Sequence, residues 1–403
     1  MTRRTLGRNA SLATAAAVVA HTIWTSAAPA LTYPLYASQW HLTPFETTAI
    51  FAIYPVFVVV VLVVFGNLSD YIGRRETMML GLVASALGSF IFSVAPGIGW
   101  IYVGRAFMGI GVGLAAGPSA AAVVEFSAPR RAAQAGSVTA AAQAIGMTAA
   151  ALVGGALIQY APLPTRLNFI VLTFVLLVLL AVTSRLPNYT SSRAAGKWHP
   201  RVPAIPNGFF STFVTATAAV TASYVLGAMT LSLGAQVARD VIASVNALVN
   251  GGTIALFAVF SALVTVPARR MQTSRVLQMG IVIAIVSSAL LAAAAVLHSL
   301  LLYTIAQAGS GMAYSLLLLG GLSLITAHAP VTHRGATLSA LFLIAYLGQA
   351  VVALSLGKIA TSSGLAAAVE VGVVTVATLA VVTLLLDTVR RREASARQAR
   401  AHR

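Results

Sequence analysis

The sequence predicts an all-α polytopic membrane protein whose twelve transmembrane helices form two pseudo-symmetric six-helix bundles. Three observations predict it. Of 403 residues, 59% are hydrophobic and only 8% charged, with a mean hydropathy of +0.90; no soluble domain of this size has that balance. Apolar stretches long enough for a ~30 Å hydrocarbon core alternate with short polar turns, and twelve fit. Glycines recur in matching order in the two halves: Gly109-Ile-Gly111 with Gly309-Ser-Gly311, and Gly146 and Gly155 with Gly348 and Gly357. Such a diverged repeat is a common plan for transporters. On the Gly109/Gly309 match, the counterpart of Arg105 is Ile305.

In chain order the spans are expected at 11–36, 47–65, 77–95, 98–123, 134–158, 166–186, 208–234, 243–266, 276–297, 299–327, 335–360 and 365–387. The N-terminus mimics a signal peptide, with Arg3, Arg4 and Arg8, an apolar run and Ala28-Pro29-Ala30. Cleavage is not expected, because the run holds His21 and Trp24 and its loss would leave an odd number of spans. Thr43-Pro44-Phe45-Glu46 reads as a capping box that starts span 2, with Glu46 as a cap in preference to a proton carrier. The polar stretch 187–207 reads as a cytoplasmic linker. The chain then divides into an N-terminal bundle at 1–186, the linker, a C-terminal bundle at 208–389 and a basic cytoplasmic tail at 390–403.

Net charge is +17. In a soluble chain that would suggest nucleic acid; here it follows topology. Of the 25 Lys and Arg, Arg166, Arg239 and Lys358 fall on one side and Arg105 inside a span. All others fall on the opposite side, which the positive-inside rule makes cytoplasmic, with both termini. There are no cysteines, so neither disulfides nor thiolate metal sites are available. Cofactors and metals are not expected, and no enzyme constellation is present: no zinc ligand pair, no nucleotide-binding loop and no nucleophile elbow.

The ten residues Gly66-Asn-Leu-Ser-Asp-Tyr-Ile-Gly-Arg-Arg75 form a tight charged turn between two apolar spans. Gly66, Leu68, Asp70, Gly73, Arg74 and Arg75 resemble the signature loop of the major facilitator superfamily between its helices 2 and 3; Tyr71 departs from it, where a basic residue is usual. Gly104-Arg-Ala-Phe-Met-Gly109-Ile-Gly resembles the span 4 motif of the same superfamily. Gly146, Gly154 and Gly155 fit its span 5 exporter motif, while Ala150 and Ala151 replace the central Gly-Pro. Arg269, Arg270 and Arg275 fall where a second signature loop belongs, without its Asp and Gly. The resemblance implies a 6+6 fold and transport by alternating access. It implies that Glu125 joins Asp70 and Arg74 in a conformational latch with Gly66, Gly73 and Arg75; the plain alternative is a solvated loop with weak ion pairs.

An arginine inside a span costs at least ~2.5 kcal/mol on insertion scales, so Arg105 requires a polar interior or a partner. By resemblance it faces the central cavity and serves proton coupling; snorkelling to the outer surface is the alternative. His21 and Trp24 share a face of span 1. His21 could titrate near neutral pH, or rest as a neutral, hydrogen-bonded group. The family's usual acidic residue in span 1 is missing. Spans 1, 4, 7 and 10 line the cavity in this family and spans 2, 5 and 11 contribute. The remaining substrate-binding candidates are therefore Met108, Tyr54, Gln143, Tyr224, Met229, Gln307, Tyr314, Tyr346 and Gln349, with Tyr33 also in span. Aromatics, Met and amides suit a largely apolar ligand with a few polar handles.

The function expected is proton-coupled export of small, largely apolar molecules or drugs by a monomer in a bacterial-type inner membrane. The partners expected are the substrate, protons and the lipid bilayer, and no nucleic acid. The alternatives are a proton-coupled importer of sugars or organic anions, an uncoupled facilitator, and a membrane receptor without transport.

Overall fold

A computed structural model of the chain describes residues 5–127, 135–187, 198, 205, 209–329 and 333–401. Among them there is no strand, and twelve helical spans follow in the expected order. Spans 1 to 6 are Arg8–Ala27, Pro44–Phe65, Arg74–Val94, Ile98–Phe126, Ala135–Tyr160 and Leu167–Thr183. Spans 7 to 12 begin at Phe210, Ala247, Thr273, Leu300, Arg334 and Leu365. Ten of the twelve are long and apolar enough to cross a membrane by composition alone. The exceptions are span 1, which carries His21 and many hydroxyls, and span 6, which has 17 residues.

Local chemistry sets the ends. Thr43 caps span 2: the Glu46 N–H donates to Thr43 Oγ1 (3.3 Å) and the Thr43 N–H to Glu46 Oε2 (2.7 Å). The capping box is therefore formed as expected. Gly73 has φ +104°, a conformation glycine adopts without strain. It lets the short helix Leu68–Ile72 turn directly into span 3.

Three elements differ from expectation. Span 1 ends at Ala27 and resumes as a 3₁₀ turn, Ala30–Thr32, and a helix, Tyr33–Trp40. Pro29 is the cause, because it has no N–H for the carbonyl four residues earlier. Span 7 runs on to Val241 through two π-helical stretches, Met229–Leu233 and Val237–Val241, in place of ending near 234. The basic stretch from 390 continues the helix of span 12 to Ala401. Apart from Pro187, Trp198 and Ile205, the linker lies outside the described residues, as do Arg3, Arg4, Arg130, Arg131, Arg193, Lys197 and Arg201.

The two halves repeat the same packing. Span 4 lies against spans 1, 2 and 3, and span 10 against 7, 8 and 9; span 1 also packs on 5, span 3 on 6, span 7 on 11 and span 9 on 12. The halves meet along two related seams, span 5 on span 8 and span 11 on span 2. Glycine makes both seams close. A Cβ on Gly155 would lie 2.8 Å from the Ala247 carbonyl, and one on Gly357 would overlap Thr48 Oγ1.

The contacts also correct the register of the repeat in spans 4 and 10. Gly109 abuts the Tyr54 carbonyl of span 2, and Gly311 abuts the Phe257 carbonyl of span 8. These two glycines are counterparts, so the partner of Arg105 is Gln307 and not Ile305. A slip of two residues turns a helix face by about 200°, which is why matching glycines by sequence alone pairs the wrong faces.

Substituting Gly357→Val is expected to destabilise the folded protein by about 1–3 kcal/mol through overpacking of the seam. Gly252→Val, at a position with no heavy atom within 4 Å of the added Cβ, should stay within about 0.5 kcal/mol. Thermal melting in detergent compares the two.

Candidate functional site

In lipid a carbonyl without a donor is costly, so the break in span 1 requires partners. Pro29 cannot donate to the Thr25 carbonyl. Arg105, 0% exposed, reaches across from span 4: Nη1 donates to Thr25 O (3.4 Å) and Nη2 to Ser26 O (3.0 Å). Its guanidinium stacks on Tyr54 at 4.6 Å, with Phe51 at 6.0 Å. Asn168 of span 6 donates to the Ala28 carbonyl (3.0 Å). The segment end also carries the negative end of the helix dipole, which favours a cation there. Arg105 thus points inward and closes the end of span 1's first segment.

The other sequence candidates divide into two groups. His21 is 2% exposed and faces into the N-terminal bundle. Its Nδ1–H donates to the Val18 carbonyl (2.5 Å), and Nε2 lies 3.4 Å from Ser85 Oγ of span 3. Met108 is 0% exposed and packs on Gly88 of span 3. Met229 and Gln307 line a cavity inside the C-terminal bundle. Tyr33 is buried with its hydroxyl unpartnered among the described residues.

The second group gathers between the bundles. Tyr224 stacks with Tyr314 (centroids 6.4 Å apart) and meets Tyr346 edge-on (4.8 Å). Tyr314 packs on Phe257 (5.4 Å), and Tyr346 packs on the N-terminal core that includes Tyr54 of span 2. Trp24 packs on the cluster of Leu31, Met147, Ile254 and Phe257 that joins the halves, as does Tyr314. The Trp24 indole N–H is buried without a partner among the described residues. Gln349 is buried on span 11. Gln143 is exposed, on the face of span 5 between Gly146, which meets Ala20 of span 1, and Ala151, which meets Gly251 of span 8. Beside it, Ala13 and Ala17 of span 1 are exposed on the same face as Trp24.

The opposite face is shut, in a way the sequence reading missed. Gln159 Oε1 at the end of span 5 accepts from the Ala247 N–H that begins span 8 (2.9 Å). Thr361 Oγ1 at the end of span 11 accepts from the Phe45 N–H that begins span 2 (3.0 Å). Each bundle caps a helix N-terminus of the other, where free N–H groups are inherent. Gln236 Nε2 to Thr47 Oγ1 (3.1 Å) and Arg239 Nη1 to the Pro34 carbonyl (3.1 Å) add to this closure. The sequence signal for it was the matched position of Gln159 and Thr361 in the repeat.

On the terminal face, Arg74 pairs with Glu125 of span 4. Arg75 donates to Leu186 O at the end of span 6 (3.2 Å) and pairs with Glu76 (2.9 Å). Asp70 lies exposed on the short helix Leu68–Ile72. A side chain at Gly66 would strike the Leu62 carbonyl. All these contacts stay within one bundle. Trp198 of the linker stacks on Phe65 (5.4 Å) and donates to Asn67 Oδ1 (3.0 Å). Across the seam, Arg269 donates to the Gly136 carbonyl (2.5 Å) and Ser137 Oγ (3.2 Å) of span 5.

Comparison with known proteins places this geometry. The Major Facilitator Superfamily profile matches residues 13–353. A bacterial homologue of the human lysosomal transporter Spinster, solved inward-facing and unoccupied, is similar at 15% identity. The alignment covers 94% of this chain and 96% of that one, with a TM-score of 0.73. A mutant of the peptide transporter POT in complex with sulfate is similar at 16% identity, covering 94% of each chain, with a TM-score of 0.76. No curated protein matches by sequence.

If Arg105 serves the carbonyls that Pro29 frees, the two residues are coupled. Arg105→Leu is expected to cost about 1.5–3 kcal/mol. Pro29→Ala, which restores an N–H to Thr25 O, should reduce that cost. A double-mutant cycle on melting in detergent should give a coupling of about 0.5–3 kcal/mol; strict additivity would refute the assignment.

Proposed function

The chain belongs to the Major Facilitator Superfamily, and from that premise we propose that it exports small, largely apolar molecules by alternating access, driven by a proton gradient. The carrying observation is the aromatic group between the bundles. Tyr224, Tyr314 and Tyr346 form one aromatic group that packs on clusters shared with Tyr54 and Trp24 of the other half. Their rings offer π surface, and the Trp24 N–H and Gln143 offer polar handles for a ligand that is otherwise apolar. The fold provides the motion: two bundles rock about a midplane site.

Arg105 bears on the importer reading. Both of its Nη groups are engaged with carbonyls of span 1, so an anionic substrate would have to displace them. This favours a neutral or weakly polar ligand. The resemblance of span 5 to exporters supplies the direction. The basic terminal face is assigned to the cytoplasm of a bacterial-type inner membrane by the positive-inside rule, and the protein to a monomer. His21 is the one histidine deep in a span, and it is the residue assigned to carry the proton. In this reading the signature loop acts as a latch: the Arg74–Glu125 pair, formed here within the N-terminal bundle, joins Asp70 in holding the halves when the terminal face closes.

Three measurements in proteoliposomes test the proposal. Efflux of a hydrophobic aromatic dye should require a pH gradient; transport unchanged on collapsing the gradient would leave a facilitator. Tyr346→Ala should weaken dye binding about tenfold, the equivalent of one lost aromatic contact of about 1.4 kcal/mol, and His21→Gln should flatten the pH dependence of transport. Asp70→Asn should slow turnover several-fold with dye affinity unchanged; equal loss of both would remove the latch from the account.

A further inference from the structure

The C-terminal bundle holds a cavity of ≈ 30 Å³ between spans 7, 9, 10 and 12, apart from the seam between the halves. That is room for one or two water-sized particles. Its polar lining consists of Thr230 from span 7, Ser288 from span 9, and Tyr303, Gln307 and Ser310 from span 10, with Gly234 beside them. We propose that this cavity binds a small dehydrated monovalent cation of sodium size, held by neutral oxygens.

Pseudo-symmetry is the first argument. Gln307 is the counterpart of Arg105, and the π-helical start at Met229 falls where span 1 breaks at Pro29. In the N-terminal bundle the end of the broken segment meets a guanidinium. In the C-terminal bundle the α-helix Phe210–Ala228 passes without a break into the π-helical stretch at this level, with Leu226 and Met229 in the cavity wall. None of the Lys, Arg and His of spans 7 to 12 among the described residues lines this cavity. The cation supplied by the protein on one side therefore has no equivalent on the other.

The direction of the hydrogen bonds is the second argument. Thr230 Oγ1 donates to Gln307 Oε1 (3.1 Å), Gln307 Nε2 donates to Tyr303 OH (2.8 Å), and Tyr303 OH donates to the Gly234 carbonyl (2.9 Å). The chain passes its donors along and ends on the backbone. The hydroxyl protons of Thr230 and Tyr303 and one amide proton of Gln307 are thereby spent, and the two serine hydroxyls can rotate to present lone pairs. π-Helical turns are rare and concentrate at functional sites. A site of this type requires no carboxylate, and none lines the cavity; the buried Asp387 of span 12 is paired with Arg390 and Arg391.

The inference goes beyond the export reading and does not depend on it, because binding can be read without transport. Purified protein in detergent is melted in sodium, potassium and choline chloride at equal ionic strength. Sodium should raise the melting temperature by several degrees in a saturable way, potassium less and choline not at all. Ser288→Ala and Ser310→Ala, singly and together, should melt like wild type in choline and weaken the sodium response about tenfold or abolish it. Identical melting in the three salts would mean that the cavity holds water alone. A full sodium response in variants that fold normally would place the cation elsewhere and overturn the assignment.

Discussion

A broken helix in a medium without water is the constraint on which this structure turns. Once Pro29 interrupts span 1, three carbonyls near the centre of the N-terminal bundle lose their helical donors. Lipid offers none. Arg105 and Asn168 supply them from spans 4 and 6, so three helices are fixed to one another at a single point. The expense of burying a guanidinium is offset by two carbonyls, a helix dipole and the face of Tyr54. Removing Arg105 leaves the Thr25 and Ser26 carbonyls without a donor, and removing Asn168 does the same to Ala28.

The seams between the halves follow the opposite logic. Glycine and small residues bring spans 5 and 8, and 2 and 11, into backbone contact, with few polar groups along the way. At one end the polar groups return as reciprocal caps, Gln159 on span 8 and Thr361 on span 2. Two bonds of this kind hold a closed face without making it permanent, since each is worth only about 1 kcal/mol net and a freed N–H at that face can be hydrated. Rigid bundles with weakly tied ends are what a rocking motion requires.

The sequence made the larger outline legible and left the geometry within it obscure. Apolar run length gave twelve spans, and the capping box at Thr43 was read residue for residue, because both signals are local. The break at Pro29 was present in the sequence as a proline in mid-span, but its meaning depends on Arg105, eighty positions away. His21 and Trp24 share a face by spacing, yet Ser85 turns one inward and the seam holds the other. Spacing fixes a helix face and does not say what packs on it. The repeat was visible through its glycines, and the register was wrong by two residues for the same reason: glycine marks close approach without naming the partner.

That register matters for how the halves divide their work. With Gln307 opposite Arg105, the protein has the same scaffold twice and a fixed positive charge once. A built-in guanidinium cannot leave, so the N-terminal bundle is held in one arrangement at that level. The C-terminal bundle has there a neutral hydrogen-bond chain, a π-helical turn and an open space. Such a region has more than one way to satisfy its carbonyls, and its helix can wind or unwind at small cost. The asymmetry therefore assigns stiffness to one half and adjustability to the other. It also makes span 7, at its π-helical stretch beside the aromatic group, the element through which a change in the C-terminal bundle would reach that group.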